Sequence, residues 1–526
     1  MYSSAPAGYD HDSPMDTSSP PTTYEQQQHP QQHNYNNVAS NQHNTSSPSS
    51  SIQYLDYLVH GNEEQQLVMM ELQHMFSLDK PTLLQIVDYF DKEIKAGLVD
   101  DRSSDLNMIP SFVTGHPTGS EKGTYLALEI AGLDIYACQV KLKGDQGKLA
   151  INQYQYKIPQ DLTSGDDFIV LVDYIVECVS DFLARVGTQE RTVYSMAVSF
   201  GFAIKQTGLD KGKLLSLGYG FSYPDGVGVD IVQLMHERVR LKGLPIKIVA
   251  IANDSVCTLL AHAYQHPSTR LGIVHSLGTN CAYYDMTRNV VKLRMHNTVS
   301  ADSEMIINTE WGNFGSSRRT LPCTWFDRKL DRESINPQFH MFEKMTTGVF
   351  LGEIVRNVLT YLVDRDLLFQ GKSSAMLNTP YGFDTSYMYV CEVDHSSELD
   401  DTRIILEDMM HLAKTSLADR EIVKRVCELV GTRAALLVGS AIAAVVQHMA
   451  TSGIGLGSND EGCAISISGS IYEDYPSFHP RVCTTLKELI PEQVSSKLSV
   501  GIVKHSRIVG AAIVAMMAEK IVAKST

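Results

Sequence analysis

Apolar residues recur at three- and four-residue intervals in EEQQLVMMELQHMF (63–76) and DKPTLLQIVDYFDKEIKAGL (79–98), a spacing that predicts two amphipathic helices. Asp79 suits the N-cap of the second, with Pro81 in its first turn. The period then changes. TYLALEIAGLDIYACQVKL (124–142) and KLAINQYQYKI (148–158) read as consecutive strands joined by KGDQG. DDFIVLVDYIVECVSDFLARV (166–186) reads as a helix and YSMAVSFGFAI (194–204) as a strand. IKIVAIANDSVCTLL (246–260) is strand, turn and helix. LGIVHSLGTNCAYYD (271–285) and VVKLRMHNTVS (290–300) read as strands, and MIINTEWGNFG (305–315) as a strand running into a loop. Long helices are predicted over 342–367, 401–416 and 421–450. The chain then returns to α/β with CAISISGSIYEDYP (463–476), the helix RVCTTLKELI, the strand LSVGIVKHS and an apolar terminal helix. Two sheet-forming blocks separated by helices predict two α/β lobes with a cleft between them.

The first 50 residues break this pattern. They are rich in Ser, Pro, Gln, Asn, His and Thr, and carry Asp10, Asp12, Asp16 and Glu25 with no Lys or Arg. Such a segment cannot bury enough apolar surface to offset its ordering entropy and is expected to be disordered. It reads as a solvated tail or as a docking and phosphorylation tail, with Ser-Pro at Ser13 and Ser47 as candidate sites. The expected divisions are the tail (1–50), N-terminal helices (51–118), a small α/β lobe (119–252) and a large α/β lobe (253–526), the terminal helix completing the small lobe.

With 526 residues, 43% of them hydrophobic, the chain can form large cores. A formal charge of −16 argues against nonspecific nucleic-acid binding by the whole molecule. Nine scattered cysteines without a Cys-x-x-Cys pair suit a reducing compartment and suggest no structural zinc site. The N-terminus has no basic region followed by an apolar core, and no apolar run reaches about 18 residues, so neither a secretory signal nor a transmembrane helix is expected.

Candidate chemistry gathers where strands end. SISGS (466–470) turns on Gly-Ser after an apolar strand, a way to present backbone N–H groups to a nucleotide. Asp254 sits where a strand becomes a helix and by itself reads as an N-cap. Glu310 and Glu343 by themselves read as solvated or as buried ion-pair partners.

The order of these stretches resembles the eukaryotic hexokinase family of the actin-like ATPase superfamily from about residue 60 to 522. MIPSFVTGHPTGSEKGTYLALEIAG, IVAIANDSVCTLLAHAY, MIINTEWGNFG and FEKMTTGVFLGEIVRNVL carry the resemblance most strongly. It implies an α/β, two-lobed fold with ribonuclease H-like sheets closing on hexose and ATP. It implies a catalytic base at Asp254, preceded by Asn253. Sugar contacts are implied at Thr207, Asn253, Asp254, Asn280, Glu310 and Glu343. A carboxylate beside the sugar's primary hydroxyl can accept its proton, and carboxylates accept two hydroxyl hydrogen bonds each.

The departures are informative. The family's first phosphate loop, Asp-Leu-Gly-Gly-Thr-Asn with an Arg two residues later, is Glu129, Ile130, Ala131, Gly132, Leu133, Asp134 and then Tyr136. The expectation is a Cβ at Ala131 where backbone approaches phosphate, a lost hydroxyl at Leu133 and added negative charge at Asp134. The sugar loop lacks its Ser at Gly201, its Thr at Gly218 and its Lys at Tyr219. The second phosphate loop is Ser276, Leu277, Gly278, Thr279, Asn280, with Leu277 in place of a hydroxyl. An acidic residue is replaced by Ser316. The adenosine turn is Ser468, Gly469, Ser470 without its Asp, and the last Gly-rich loop is His505, Ser506, Arg507, Ile508, Val509, Gly510.

Loss of one preorganised transition-state donor typically costs about 10²–10³ in rate. The expectation is therefore a hexokinase-like protein with impaired catalysis, similar to degenerate regulatory members of filamentous fungi. It would act in carbon or nutrient response through weak hexose sensing or an unidentified protein partner. The alternative is an ATP-dependent hexokinase of low or altered activity, with ATP and magnesium as cofactors. No other metal site is suggested. The resemblance implies a cytoplasmic location, and a nuclear one is compatible with the tail.

Overall fold

The computed structural model describes residues 22–24, 60–145, 147–187, 192–217, 221–293, 300–317, 320–454, 456 and 462–525. The two periodic N-terminal segments form α1 (Glu63–Phe76) and α2 (Lys80–Val99). Asn62 and Gln65 close a capping box on α1, and the Asp79 carboxylate accepts the Thr82 N–H at the start of α2.

Strands are numbered β1 (Thr22–Tyr24), β2 (Ile109–Thr114), β3 (Lys122–Ala131), β4 (Asp134–Gly144), β5 (Lys148–Lys157), β6 (Tyr194–Phe200), β7 (Ala203–Gly208), β8 (Lys211–Ser216), β9 (Ile246–Ala252), β10 (Thr269–His275), β11 (Thr279–Met286), β12 (Glu304–Asn308), β13 (Cys463–Ser468) and β14 (Leu498–Ile502). One six-stranded sheet has the order β1-β5-β4-β3-β6-β9. The other has the order β14-β13-β10-β11-β12-β2, and β7 and β8 form a separate hairpin. Between the strands lie α3 (Phe168–Val186), α4 (Ile231–Leu241) and α5 (Asp254–Gln265). Then follow α6 (Trp325–Glu333), α7 (Met341–Thr346), α8 (Gly348–Asp364) and the long helix Leu417–Thr451.

The inner faces of both sheets enclose a middle layer made of α5 and the terminal helix Ser506–Ser525. Ala127, Ala197 and Ala250 from one sheet and Ala282, Tyr284 and Ile306 from the other share one apolar cluster with Val256, Leu260, Ile513 and Val514. Small residues let the layers close: a Cβ at Gly510 would lie 2.0 Å from the Cys257 carbonyl oxygen. The first turns of the two helices thus lie against each other, with Thr258 Oγ1 3.0 Å from Ser506 Oγ. The helix Leu417–Thr451 is long and apolar enough to cross a membrane, yet 89% of its apolar window is buried. It is apolar all round because α1, α2 and α8 share its core.

Several local expectations are corrected. Thr22–Tyr24, in the tail expected to be disordered, pairs antiparallel with β5, because a sheet edge offers unpaired N–H and C=O groups. Ser13 and Ser47 lie outside the described residues. The strand expected over 290–300 is a 3₁₀ turn at Val291–Leu293, and 294–299 lie outside the described residues. The strand expected over 194–204 divides at Gly201 into β6 and β7. The helix expected over 342–367 breaks at Thr347, whose extended backbone (φ −111°, ψ 163°) redirects the chain between α7 and α8.

Candidate functional site

The cleft site starts with one asparagine. Asn253 follows β9 and is the N-cap of α5; its Oδ1 accepts from Ser255 N (2.9 Å) and Ser255 Oγ (2.6 Å). The cap is therefore not Asp254, which is the first helical residue. Burial raises the Asp254 carboxyl above its ordinary value, opposed by Arg507 and by backbone amides.

Asn280, at the start of β11, directs its Nδ2 at three acceptors: Asn253 Oδ1 (3.1 Å), Asn308 Oδ1 (2.8 Å) and Glu310 Oε1 (3.3 Å). Glu310 sits just beyond β12 in the left-handed region (φ 54°, ψ 44°), which turns its side chain back toward Asn308. Asn308 Nδ2 donates to Glu310 Oε1 at 2.7 Å. Burial raises the Glu310 carboxyl, and the Asp254 charge adds to this.

Glu343 arrives on α7. Its Oε2 accepts the Thr279 N–H (3.1 Å), and α7 is anchored beneath it by the buried Lys344–Asp331 pair (2.8 Å). Burial pushes the Glu343 carboxyl up to about 7, with Glu310 and Asp254 contributing. Four separate elements thus bring Asn253, Asp254, Asn280, Glu310 and Glu343 together. Their mutual influence on proton affinity is the mark of close carboxylates, and such a set suits a polyol.

The small-lobe side is sparser. Gly201 follows β6 with space for a side chain, since a Cβ there would meet only the Ile130 carbonyl oxygen at 3.5 Å. Thr207 is exposed on β7, and no described hydrogen bond joins it to the carboxylates. Gly218 and Tyr219 lie outside the described residues.

The loops expected to meet nucleotide are tied to the protein itself. Ala131 pairs with Asp134 across a two-residue hairpin in which Gly132 takes φ +58°. Leu133 is 38% exposed at its tip. Asp134, expected to confront the triphosphate, instead faces Lys157 (2.7 Å) and Gln155 (2.7 Å) on the neighbouring β5, which offsets its charge. In the next loop Ser276 N donates to Gly278 O (2.9 Å), and Leu277 projects with 56% exposure. Thr279, expected to serve the nucleotide, is buried: its Oγ1 accepts from Trp311 Nε1 (2.9 Å) and contacts Val274 O and His275.

Ser468 packs its hydroxyl against Thr258 Oγ1 (3.2 Å), which also meets Ser506 Oγ (3.0 Å). Ser470 pairs with Ser276 (3.0 Å). Gly469 N, the amide the turn offers, donates to Glu473 Oε1 (2.9 Å). Finally, Arg507 at the start of the terminal helix places Nε 2.9 Å from the buried Glu129 Oε1. The Glu129 carboxyl is raised by burial and held back by Arg507.

Sequence reasoning missed Asn308, Glu473 and the Glu129–Arg507 pair. Asn308 was within reach of it, because residues two apart share a face at the end of a strand. Glu473 was also within local reach, one helical turn after Gly469, whereas the Glu129–Arg507 pair joins distant segments and left no local signal. No group of three or more His, Cys, Asp or Glu placed to hold a metal ion occurs among the described residues.

The family described as hexokinase matches residues 68–264 and 270–517. The chain is 32% identical to Hexokinase-1 of Saccharomyces cerevisiae over 86% of its own length and 92% of that protein's. It is also 32% identical to the hexokinase of Emericella nidulans, over 85% and 90%. Among solved structures, the Schistosoma mansoni hexokinase complexed with glucose superposes with a TM-score of 0.76 at 29% identity, covering 86% of this chain and 99% of that one.

Proposed function

This chain belongs to the hexokinase family, and from that premise we propose that it binds hexose as a regulator of carbon or nutrient response, with impaired phosphoryl transfer. One observation carries the reading: beside an assembled large-lobe sugar site, the buried Glu129 is paired with the chain's own Arg507. The neighbouring nucleotide loops add to it. Gly469 N is taken by Glu473, the hydroxyls of Ser468, Thr258 and Ser506 contact one another, and Leu133 and Leu277 stand where hydroxyls are expected. These residues do not fit the magnesium nucleotide that the family implies.

The sugar half reads differently. Asn280, Glu310 and Glu343 are oriented before any ligand arrives, which lowers the ordering cost of binding. Asp254 stands ready to accept a hydrogen bond from a sugar hydroxyl. The glucose complex of the Schistosoma relative supports hexose as the ligand class. Gly201 supplies no hydroxyl, so binding is weak. Closure of the lobes on hexose would present a changed surface to a protein partner, with the first 50 residues as the adaptor, in the cytoplasm or the nucleus.

The test is calorimetry of the full chain with glucose and, separately, with ATP·Mg, beside a glucose phosphorylation assay. Glucose heat without nucleotide heat is expected. Abundant glucose phosphorylation by the purified protein defeats the reading. The alternative, a slow ATP-dependent hexose phosphotransferase, draws on the joint presence of Asp254, Glu310 and Glu343. Under it, Gly201→Ser with Tyr219→Lys raises turnover; under the proposed function the pair changes little.

A further inference from the structure

Asn308 contacts two of the polar groups that shape the sugar site, Asn280 and Glu310. It ends β12, with 4% of its surface exposed, and its backbone pairs with Ala282 of β11 on one side and Ile109 of β2 on the other. Its Oδ1 accepts from Asn280 Nδ2 (2.8 Å) and from Glu310 N (3.2 Å), while its Nδ2 donates to Glu310 Oε1 (2.7 Å). These three bonds fix the amide plane and leave one rotamer of Glu310 in register. Glu310 needs such a guide, because its backbone is left-handed and its carboxylate lies among other carboxylates.

We infer that Asn308 is a positioning residue for hexose: it turns Asn280 and holds one oxygen of Glu310, so that the other faces the ligand. This rests on the hexose-binding reading above. The acceptor and donor halves of the amide do separate work. Oδ1 sets Asn280 and the Glu310 backbone, and Nδ2 sets the Glu310 carboxylate.

Asn308→Asp separates the two roles. It retains an acceptor for Asn280 and replaces the donor with a second carboxyl 2.7 Å from Glu310. At low pH one shared proton restores the donor; at high pH two like charges face each other. Asn308→Ala removes both roles.

The experiment is glucose titration of the full chain from pH 5 to 8, followed by calorimetry and by tryptophan fluorescence in a Trp325→Phe background, which leaves Trp311 next to Glu310 as the reporter. Denaturation of the unliganded proteins is measured across the same range. For Asn308→Ala, glucose affinity is expected to fall roughly ten- to hundredfold at every pH, the worth of hydrogen bonds to a charged group. For Asn308→Asp, affinity near native at pH 5 is expected to fall steeply toward pH 8, with a parallel new loss of stability in the unliganded variant.

A pH-independent Asn308→Asp profile, in binding and in stability alike, overturns the inference. So does native affinity in Asn308→Ala. If the native protein takes no glucose at any pH, the hexose reading falls separately. The unliganded Asn308→Asp profile then decides the orienting contact: a steep pH loss upholds it and a flat profile overturns it.

Discussion

Replacing Glu343 with Gln removes one ionisable group from the cleft while keeping its size and its acceptor for the Thr279 amide. In the native protein this carboxyl is pushed from its ordinary 4.5 to about 7, chiefly by burial and then by Glu310 and Asp254. At 1.36 kcal/mol per pKa step, ionising it in place costs about 3 kcal/mol more than in the unfolded chain. The side chain keeps 22% of its surface toward solvent, so water lowers this to about 1–3 kcal/mol.

The sign follows from proton counting. Between pH 4.5 and 7 the folded state holds a proton that the unfolded chain has released. The associated stability is full below pH 4.5, declines across that window and is gone above it. The assay is chemical denaturation of native and Glu343→Gln proteins from pH 4 to 8. The stability difference is expected to move in favour of the variant by about 1–3 kcal/mol across the window. Parallel curves refute the reasoning. Glucose, whose hydroxyls favour the ionised carboxylate, should release protons on binding near pH 6, visible as calorimetric heats that vary with buffer.

Further outcomes follow from other packed groups. Arg433 is fully buried, forks onto Asp327 at 2.7 and 2.6 Å and lies 4.6 Å over the Phe76 ring. Arg433→Met should cost about 3–5 kcal/mol in denaturation, and adding Asp327→Leu should recover only part of it, because the same carboxylate also caps α6 by accepting from Thr324 N and Oγ1. His448 bridges Asp285 (2.9 Å) and Asp91 (3.2 Å); burial lowers its proton affinity, but the two carboxylates raise it further, above 6.5. Its contribution is full below pH 6.5 and lost as pH rises through the folded value, so His448→Gln should flatten that part of the stability profile. Gly469 takes φ +128°, and a Cβ would lie 2.3 Å from His275 O. Gly469→Ala should therefore cost more than about 2 kcal/mol, whereas Gly201→Ser should stay within about 0.5 kcal/mol.

Much was written in local pattern. Period and turn residues placed α1, α2, α3 and most strands, and put Asp254, Asn280, Glu310 and the Ser468–Ser470 turn at element ends, because side-chain direction repeats every two or 3.6 residues. What local pattern could not decide was the use of each group once the elements met. Asn253 rather than Asp254 became the cap, the Thr279 hydroxyl turned inward to Trp311, Asp134 found Lys157, and Glu129 found Arg507. The cap is settled by Ser255, two residues on; each of the other three choices depends on which partner from another segment lies within about 3 Å in three dimensions. Burial then raised the Glu310 and Glu343 carboxyls, a change in chemistry that exists only where the folded chain excludes water.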